Sequence, residues 1–448
     1  MLEALLSATE TNLGSGNRSE PLYEQLAKSL AEGIRSGQIA PGEKLPPHRE
    51  LASRLNVNIT TITRAMAKLQ EEQLIETRPG RGTRVAAHRS KESQFQSAPR
   101  NEPGTIDLSV NRPATDAYNH VLAALLPELS KDPRFDSMKD YHPSEGPVWA
   151  REAAAFWLRQ QGLSATASQV IMCDGAQHGL ALALRAIAEP GETVLADEVT
   201  YQGIAALCRT LDLNLVGVRT DDRGMDPLAL RQACRDHKPR VVFLVSSIQN
   251  PTAITLDEAR RDELAAVIEA AGVLLIEDDV YRPLLDDSPA PLARRLPEQT
   301  LYLTSLSKCV APGLRIGFML APPNLVSDMS TSLRVDCWSI SPLSALVATR
   351  LIESGKARDL VVVQREELRA RQAILQQAMA GLDMRSGATA PHAWLTLPEV
   401  WRDANFCQHC LANGVAVLPG SAFSIGPAHA PYASTSLLHL RANSSRVH

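Results

Sequence analysis

Seven short apolar segments beyond residue 105 constrain the fold of this chain more than any other feature. Each has the length of a β-strand, and segments with helical patterning separate them. Such an alternation indicates an α/β domain with a mainly parallel sheet. We predict one strand from each of QVIMC, TVLAD, NLVGV, VVFLVS, VLLIED, LYLTS and IGFML.

The length of the chain requires more than this one domain. A chain of 448 residues is too long for a single hydrophobic core, so two or three domains are expected. We predict a disordered polar tail at 1–17, a compact domain at 18–87, a polar linker at 88–104 and the α/β domain at 105–448.

The composition limits where in the cell the protein is expected and which kinds of site it is expected to contain. No apolar run reaches the roughly 18 residues of a membrane span, and the amino terminus lacks the features of a signal peptide. We therefore predict a cytoplasmic protein with no membrane partner. The seven cysteines form no disulfide framework. Cys407 and Cys410 form a CxxC that we interpret as ordinary helix cysteines, with a metal or redox role as the alternative, and no metal site is predicted.

The segment at 18–87 has the pattern of three helices and a hairpin. An apolar stripe runs along the first helix from Leu22 to Ile34. Asn58 suits the N-cap of the third helix, where Val57 and Ile62 would form a hydrophobic staple. LIETRPGRGTRV then predicts two short strands around a glycine-rich turn, which completes a winged helix-turn-helix.

GQIAPGEKLPPHRELASRLNVNITTITRAMAKLQEEQLIETRPGRGTRV resembles the DNA-binding domain of the GntR family over nearly its whole length. The resemblance implies double-stranded operator DNA as a partner. Taken singly, the cations involved are also compatible with solvated surface charges. The DNA contacts implied in the second and third helices and at the wing tip are Arg49, Asn58, Thr60, Thr61, Arg64, Arg81 and Gly82.

Three positions depart from the GntR pattern. Ile59 and Thr63 stand where the family often has basic residues, which removes expected base or phosphate contacts. Pro47 replaces the serine that usually caps the second helix. These departures leave the operator sequence and the affinity open.

The segment TSLSKCVAPGLRIG contains candidate reactive and phosphate-binding residues of the large domain. Lys308 follows two serines, and Arg315 lies seven residues further on. A lysine forms a Schiff base only as a neutral amine, and a nearby cation or a desolvated pocket favours that form. Hydroxyl and guanidinium groups bind a phosphate dianion, so the segment suits an aldehyde cofactor that carries a phosphate.

Other strand ends supply matching groups. Asp278 ends an apolar strand and would keep a pyridine nitrogen protonated, while Tyr281 would donate to a ring hydroxyl. Asn250 follows another strand, and Tyr201 offers a ring that stacks on a planar cofactor. The glycine turn in CDGAQHGLALAL opens a helix whose N–H groups would face an anion.

These segments resemble the fold-type I aminotransferases in order and spacing, from about residue 106 to the end. The resemblance implies that Lys308 holds pyridoxal 5′-phosphate as a Schiff base and that Arg441 grips a substrate or effector carboxylate. Taken singly, Asp278 is also compatible with a helix cap, Tyr201 with a core aromatic residue and Arg441 with a surface charge. The remaining residues implied to bind the cofactor are Asp278, Tyr281, Asn250, Tyr201, Ser305, Arg315, Gly175, Ala176, Gln177 and, from the second subunit of a dimer, Tyr141.

The large domain also departs from its family. Ala253 stands where glycine is usual, and Val199 stands where a proline is usual. The sequence ends seven residues after Arg441, where the family continues with a further strand and a helix. Either the sequence is truncated or the carboxyl-terminal part of the domain is abbreviated.

A winged helix joined to an aminotransferase-like domain resembles the MocR subgroup of GntR regulators. The resemblance implies a homodimeric transcription factor that binds pyridoxal phosphate and senses an amine, an amino acid or the cofactor itself. One alternative is a working aminotransferase with an appended DNA-binding domain. The other is a DNA-binding protein whose large domain only mediates dimerisation.

Overall fold

The computed structural model describes residues 21–35, 39, 42–71, 74–78, 82–85, 105–398, 400–425 and 432–436. The chain divides into two compact units between residues 97 and 98. The tail predicted at 1–17 and the linker predicted at 88–104 both lie outside the described residues. None of the described helices combines the length and apolar character that a membrane span requires.

The amino-terminal unit confirms the predicted order of helix, helix, helix and hairpin. Its described elements are α1 (Leu22–Arg35), α2 (His48–Arg54), α3 (Ile59–Glu71), β1 (Ile75–Arg78) and β2 (Gly82–Val85). The two strands pair antiparallel, with Arg78 opposite Gly82. This is the architecture of a winged helix-turn-helix.

Local sequence explains where these helices begin. The Asn58 side chain accepts a hydrogen bond from the Thr60 N–H at 3.0 Å, so it caps α3 as predicted. Pro47 precedes α2 without any side-chain cap. Ile62 and Leu69 of α3 are fully buried, whereas Leu22 is 41% exposed because it begins α1 beyond the edge of the core.

The second unit contains the strands expected from the seven apolar segments. Its described strands are β3 (Ile106–Asp107), β4 (Val170–Cys173), β5 (Thr193–Asp197), β6 (Asn214–Val218), β7 (Thr220–Asp221), β8 (Gly224–Met225), β9 (Val241–Leu244), β10 (Leu274–Asp278), β11 (Thr300–Ser305), β12 (Gly317–Leu320), β13 (Met384–Arg385), β14 (His392–Thr396), β15 (Val415–Ala416), β16 (Leu418–Pro419) and β17 (Tyr432–Ser436).

Helices connect and cover these strands. The described helices of this unit are α4 (Asp116–Leu129), α5 (Val148–Gln160), α6 (Ala176–Ile187), α7 (Gln202–Thr210), α8 (Pro227–His237), α9 (Glu258–Ala271), α10 (Leu292–Arg295), α11 (Val326–Cys337), α12 (Pro342–Glu353), α13 (Lys356–Ala378) and α14 (Asp403–Ala412).

The central sheet has seven strands in the order β4-β12-β11-β10-β9-β5-β6. These are the seven predicted strands, and all neighbouring pairs are parallel except those that β12 makes with β11 and β4. The carboxyl ends of the parallel strands and the amino end of β12 therefore meet at one edge. In open α/β sheets this edge is where ligands bind.

Helices pack on both faces of the sheet, because side chains alternate along each strand. Phe243 and Ile276 belong to a core that includes α6 and α11. Val242 and Leu275 point the other way, into a core with α9. The strands are thus buried on both faces, which explains why the segments are apolar throughout.

A smaller sheet follows in the carboxyl-terminal part of the unit. Its order is β13-β14-β17-β16, and β15 pairs separately with β3. The β15–β3 pair is parallel, with Val415 opposite Ile106. This pairing fixes the segment after β3 beside the carboxyl-terminal part of the unit, and that segment leads to the candidate site.

Candidate active site

Lys308 lies in a turn just beyond β11, at the ligand-binding edge of the sheet. Its Nζ donates a hydrogen bond to the backbone carbonyl of Asn111 at 2.9 Å. Burial lowers the pKa of Lys308 to about 8, the carboxylate of Asp278 opposes that shift, and the nearby cations Arg315 and Arg112 add to it. The amine is therefore far more available as a nucleophile than that of an ordinary lysine.

Asp278 is the last residue of β10, as predicted. The preceding Glu277 anchors the strand end, since its carboxylate accepts from the Ser246 hydroxyl at 2.5 Å and from the Ala293 N–H at 2.8 Å. Asp278 points to the opposite side. The Val280 N–H, at 3.3 Å, supplies its hydrogen bond. Burial raises the pKa of Asp278 to about 7, so this carboxyl lies in a site that would favour a cationic partner.

Tyr281 is brought next to Lys308 through Asn111. The Asn111 amide donates to the Tyr281 hydroxyl at 2.9 Å and lies 3.3 Å from Nδ1 of His392. The ring centroids of Tyr281 and His392 are 5.6 Å apart, edge to face. Burial and the carboxylate of Asp278 raise the pKa of Tyr281, so its hydroxyl keeps its proton.

The sequence did not reveal Asn111 and His392 as site residues. They are 281 residues apart in the chain, and neither lies in a segment with a recognisable motif. They are brought together because the carboxyl-terminal sheet, which contains His392, packs beside the segment after β3, which contains Asn111.

Tyr201 precedes α7 and lies close to the same groups. A Cβ atom at Gly203 would come within 2.2 Å of the Tyr201 ring, so this glycine allows the ring its position. The same imaginary atom would lie 2.5 Å from Oε1 of Gln177. Burial, followed by the charge of Asp278, raises the pKa of Tyr201 to about 12.

Asn250 occupies a less defined position. The strand predicted to precede it ends at Leu244, and Asn250 follows after an irregular segment. The described residues provide no hydrogen bond to its amide. Its neighbour Gln249 contacts the site through the backbone carbonyl, 3.1 Å from Nε2 of His392. Ala253 has a φ of 58°, the left-handed region in which the family's usual glycine is unstrained.

The two halves of the predicted phosphate site meet across β12. Gly317 is paired with Ser305 of β11 on one side and with Cys173 of β4 on the other. A Cβ atom at Gly317 would lie 2.7 Å from the carbonyl carbon of Gly175 and 3.0 Å from the nitrogen of Ala176. Gly317 thus lets the turn at the start of α6 approach the Lys308 segment.

Arg315 completes this arrangement. It has a φ of 50°, and its guanidinium donates to the carbonyl of Asp174 at 2.5 Å. A Cβ atom at Gly175 would lie 3.0 Å from the same guanidinium. The structure therefore brings Arg315 together with Gly175, Ala176 and Gln177 at the amino-terminal end of α6. The N–H of Gly175 itself already donates to the Cys173 carbonyl at 2.9 Å.

Two serines flank this region with different roles. The Ser305 hydroxyl donates to the Ile316 carbonyl and accepts from the Ser307 N–H, both at 2.9 Å. It closes the turn that carries Lys308. The Ser307 hydroxyl is buried without a hydrogen-bond partner in the described part of the chain. The sequence offered both serine hydroxyls and assigned the phosphate to Ser305, but of the two it is the Ser307 hydroxyl that has no hydrogen-bond partner in the described part of the chain.

Tyr141, the residue expected to act across a dimer, is exposed within a single chain. Its side chain is 86% exposed, and its ring contacts that of Trp338 with centroids 5.5 Å apart. The guanidinium of Arg334 covers the Trp338 ring at 4.8 Å. Val335, on the same helix, is 83% exposed.

Two further sequence predictions have different outcomes. Arg441 lies outside the described residues. Cys407 and Cys410 both lie on α14 as free cysteines, which agrees with their interpretation as helix residues. Burial raises the pKa of Cys407 to about 12 and also raises that of Cys410, so neither thiol is activated.

A cluster of Asp174, His178 and Cys337 places one potential metal ligand atom from each within 4.8 Å of the others. Both ring nitrogens of His178 are already engaged. Nδ1 accepts from the Asp174 N–H at 3.0 Å, and Nε2 lies 3.1 Å from the carboxylate of Asp336. Because neither nitrogen is free, we do not propose a metal site there.

The residues predicted to contact DNA occupy the helix-turn-helix. Arg49 and Thr60 are exposed, and Thr61 is half-buried near the start of α3. The Arg64 guanidinium lies 5.7 Å from the centre of the Tyr23 ring, which supports it on the exposed side of α3. Gly82 begins β2 with a φ of 82°. Arg81 lies outside the described residues.

Comparison with known proteins supports both units. Residues 22–85 match the family model for bacterial regulatory proteins of the gntR family, and residues 103–435 match that for aminotransferases of class I and II. The second unit therefore has the fold-type I aminotransferase fold, a family that binds pyridoxal phosphate. The chain belongs to the class I and II aminotransferase family, and its added GntR domain places it in the MocR subgroup of regulators. A GntR helix-turn-helix binds DNA.

Individual relatives and solved structures match over most of their own length. The HTH-type transcriptional regulator YdeF of Bacillus subtilis is 27% identical, over 91% of this chain and 88% of its own. The pyridoxine biosynthesis regulator PdxR of Corynebacterium glutamicum is 28% identical, over 81% of this chain and 78% of its own. Among solved structures, α-aminoadipate aminotransferase LysN of Thermus thermophilus has a TM-score of 0.68 at 22% identity, covering 75% of this chain and 87% of its own.

Proposed function

We propose that this chain is a DNA-binding transcriptional regulator that binds pyridoxal 5′-phosphate at Lys308 and senses an amine, an amino acid or the cofactor itself. The observation that carries the proposal is the position of Lys308. A lysine with a pKa near 8 lies beside Asp278 and Tyr281, at the sheet edge that also carries Arg315. This pocket belongs to a chain that also has a winged helix-turn-helix.

The residues present fit the cofactor. Asp278 is 7% exposed and has no cationic hydrogen-bond partner among the described residues, as expected for a group that pairs with a protonated pyridine nitrogen. The buried oxygens of Gln177 and Ser307 have no partner in the described residues either. Arg315 and the turn at Gly175 provide positive charge and N–H groups for a phosphate.

When bound, pyridoxal phosphate supplies an aldehyde that condenses with primary amines and a ring that withdraws electrons. The protein supplies orientation. The carbonyl of Asn111 holds the Lys308 amine, and Tyr281 keeps a proton for donation to a ring oxygen. Tyr201 provides a ring for stacking, and the Asn250 amide is proposed as a second group for the ring oxygen.

A homodimer would complete the site. Tyr141 is proposed to reach the phosphate of the partner subunit, which is supported by the 86% exposure of its side chain. Trp338 and Val335 are 47% and 83% exposed, and apolar residues so exposed are suited to an interface. Arg441 remains the proposed ligand for an effector carboxylate. A DNA-binding role supports the proposed cytoplasmic location.

Sensing requires that the effector stabilise one arrangement of the two units over another. Lys308 would hold the cofactor, and a change in the position of its amine would alter the contact with the Asn111 carbonyl. Allosteric coupling of this kind typically amounts to about 1–3 kcal/mol, or roughly 5- to 150-fold in DNA affinity. The relative PdxR carries the name of a pyridoxine biosynthesis regulator, which is compatible with the cofactor as the signal.

The test compares DNA binding with amine turnover. The probe is the DNA upstream of the gene for this chain, titrated with protein in the presence and absence of pyridoxal phosphate and a mixture of amino acids. A regulator changes its DNA affinity with these additions and turns over amino acids slowly or not at all. Steady conversion of an amino acid to its keto acid with unchanged DNA binding would instead favour the aminotransferase. A protein that remains colourless with pyridoxal phosphate would favour the dimerisation scaffold.

A further inference from the structure

A short chain of hydrogen bonds lies behind Tyr281 and connects the carboxyl-terminal sheet with the pocket. It begins at the backbone carbonyl of Gln249, 3.1 Å from Nε2 of His392. It continues from Nδ1 of His392 to the Asn111 amide at 3.3 Å, and from that amide to the Tyr281 hydroxyl at 2.9 Å. His392 is only 3% exposed and is the first residue of β14.

The first hydrogen bond of the series, to the Gln249 carbonyl, determines which atoms donate and which accept in the others. A backbone carbonyl can only accept, so Nε2 of His392 must carry a hydrogen. Burial lowers the pKa of His392 to about 4, with the charge of Lys308 contributing, so the ring is neutral and Nδ1 has no hydrogen. Nδ1 can then only accept. Asn111 must therefore present its NH₂ group, not its carbonyl oxygen, to His392.

The orientation of the Asn111 amide also determines the hydrogen bond that the Tyr281 hydroxyl makes. The nitrogen that faces His392 is the same atom that lies 2.9 Å from the Tyr281 hydroxyl, and an amide nitrogen has two hydrogens. Its second hydrogen points at the Tyr281 oxygen, which accepts. The hydroxyl proton of Tyr281 is therefore not used by Asn111 and is directed elsewhere.

We propose that His392 and Asn111 are positioning residues that orient the Tyr281 hydroxyl so that it donates its proton into the pocket. The acceptor would be the ring oxygen of the cofactor, and in this respect the inference rests on the proposed function. With the opposite orientation of the Asn111 amide, the Tyr281 proton would be donated to Asn111. The hydroxyl would then offer only lone pairs to an anionic ring oxygen and would repel it.

Asn111 has a second task in the same arrangement. Its backbone carbonyl accepts from Nζ of Lys308 at 2.9 Å while its side chain sets Tyr281. One residue thus orients both groups expected to contact the cofactor. Because His392 begins β14, a shift of the carboxyl-terminal sheet would alter the orientation of Tyr281.

The first experiment needs no cofactor, so a negative result can be distinguished from a failure of the proposed function. Nitrogen NMR of ¹⁵N-histidine-labelled protein reports the tautomer and charge of each imidazole, and the spectrum of His392→Gln assigns the signal. We expect a neutral ring with hydrogen on Nε2 between about pH 6 and pH 8. A charged ring, or hydrogen on Nδ1, would overturn the proposal.

The second experiment is a double-mutant cycle on the dissociation constant for pyridoxal phosphate, read from visible absorbance. Tyr281→Phe and His392→Leu should each raise it by about tenfold. In the Tyr281→Phe background, His392→Leu should add almost nothing, because its effect acts through the lost hydroxyl. Additive losses, or an unchanged constant in folded His392→Leu protein, would contradict the proposal.

Two further variants sharpen this cycle. Asn111→Asp keeps the size of the side chain but replaces the donor with a carboxylate, which would accept the Tyr281 proton, so we expect a loss similar to that of Tyr281→Phe. His409→Leu is the matched control. His409 also packs against an aromatic ring, Trp401 at 5.5 Å, but on α14, outside this chain of hydrogen bonds. It should leave the dissociation constant unchanged.

Discussion

Lys308 donates its hydrogen bond to a carbonyl oxygen, that of Asn111, at 2.9 Å rather than to a carboxylate. A carbonyl stabilises an ammonium ion less than a carboxylate does, and it also accepts from a neutral amine. The contact therefore orients the amine without fixing it in the charged form. Together with burial, this explains how a lysine in a pocket that contains Asp278 still has a lowered pKa.

The uptake of pyridoxal phosphate should depend on pH through Lys308. Because only the neutral amine reacts, the rate constant should rise with pH through a midpoint near pH 8 and level off about one pH unit above it. At about pH 7 roughly one amine in ten is neutral, against fewer than one in a thousand for a lysine of ordinary pKa. Stopped-flow absorbance at a series of pH values measures the midpoint. A midpoint near that of a free lysine would contradict the assigned environment.

Replacing Asp278 with asparagine should weaken cofactor binding. The variant loses a hydrogen bond to a charged partner, about 1.5–3 kcal/mol, or roughly 10- to 150-fold in the dissociation constant. The loss should occur although Lys308 becomes easier to deprotonate, since the Asp278 carboxylate raises the pKa of Lys308.

Asp197→Asn is the matched control for that substitution. Asp197 also ends a strand, and burial also raises its pKa to about 7, but its side chain contacts Gln249 instead of Lys308. We expect a change of less than about twofold in the dissociation constant, well below the cost of a lost charged hydrogen bond. Equal effects of the two substitutions on the dissociation constant would contradict the proposed role of Asp278 in binding the cofactor.

Gly317→Ala should disturb the phosphate-binding region. The added methyl group would lie 2.7 Å from the backbone of Gly175, so the turn at α6 or β12 must shift. Overpacking of this kind costs about 1–3 kcal/mol in the free energy of unfolding. Gly313→Ala, in the same segment but with no atom within 4 Å, is the control and should be nearly neutral. Thermal unfolding and cofactor affinity measure both variants.

Arg64→Ala should reduce DNA affinity. If the guanidinium neutralises a phosphate, affinity falls for all sequences and the slope of its logarithm against that of salt concentration decreases by about one. Arg54→Ala is the control, because Arg54 is already paired with Glu50 at 2.6 Å. Fluorescence anisotropy at several salt concentrations distinguishes the two. An equal loss for both variants would contradict the assignment of Arg64.

The pattern of the sequence predicts the strands of the central sheet better than their arrangement. Segments such as VLLIED form β10 because burial on both faces requires apolar residues at every position. A segment that is apolar throughout does not indicate in which direction its strand runs in the sheet. Nothing in IGFML therefore indicates that β12 runs antiparallel to its neighbours. That reversal is what places Arg315 beside the turn at Gly175.

The candidate site was predictable where chemistry and motif coincide in one segment. Lys308, Asp278 and Tyr281 lie where their segments indicated, and Asn58 caps α3. Asn111 and His392 were missed, and the phosphate role was assigned to Ser305 instead of Ser307. The first two act through tertiary contacts between distant segments, and the free hydroxyl of Ser307 is visible only once Ser305 is seen to bond within the turn.

The most direct test of the central claim measures DNA binding by unsubstituted protein and by Lys308→Ala. Pyridoxal phosphate and amino acids are added to each, with visible absorbance recorded in parallel. We predict that the unsubstituted protein takes up the cofactor and changes its DNA affinity by roughly 5- to 150-fold. Lys308→Ala should still bind DNA but show neither the absorbance nor the response, and the surface control Lys356→Ala should behave as the unsubstituted protein does. A full response in Lys308→Ala would contradict the account.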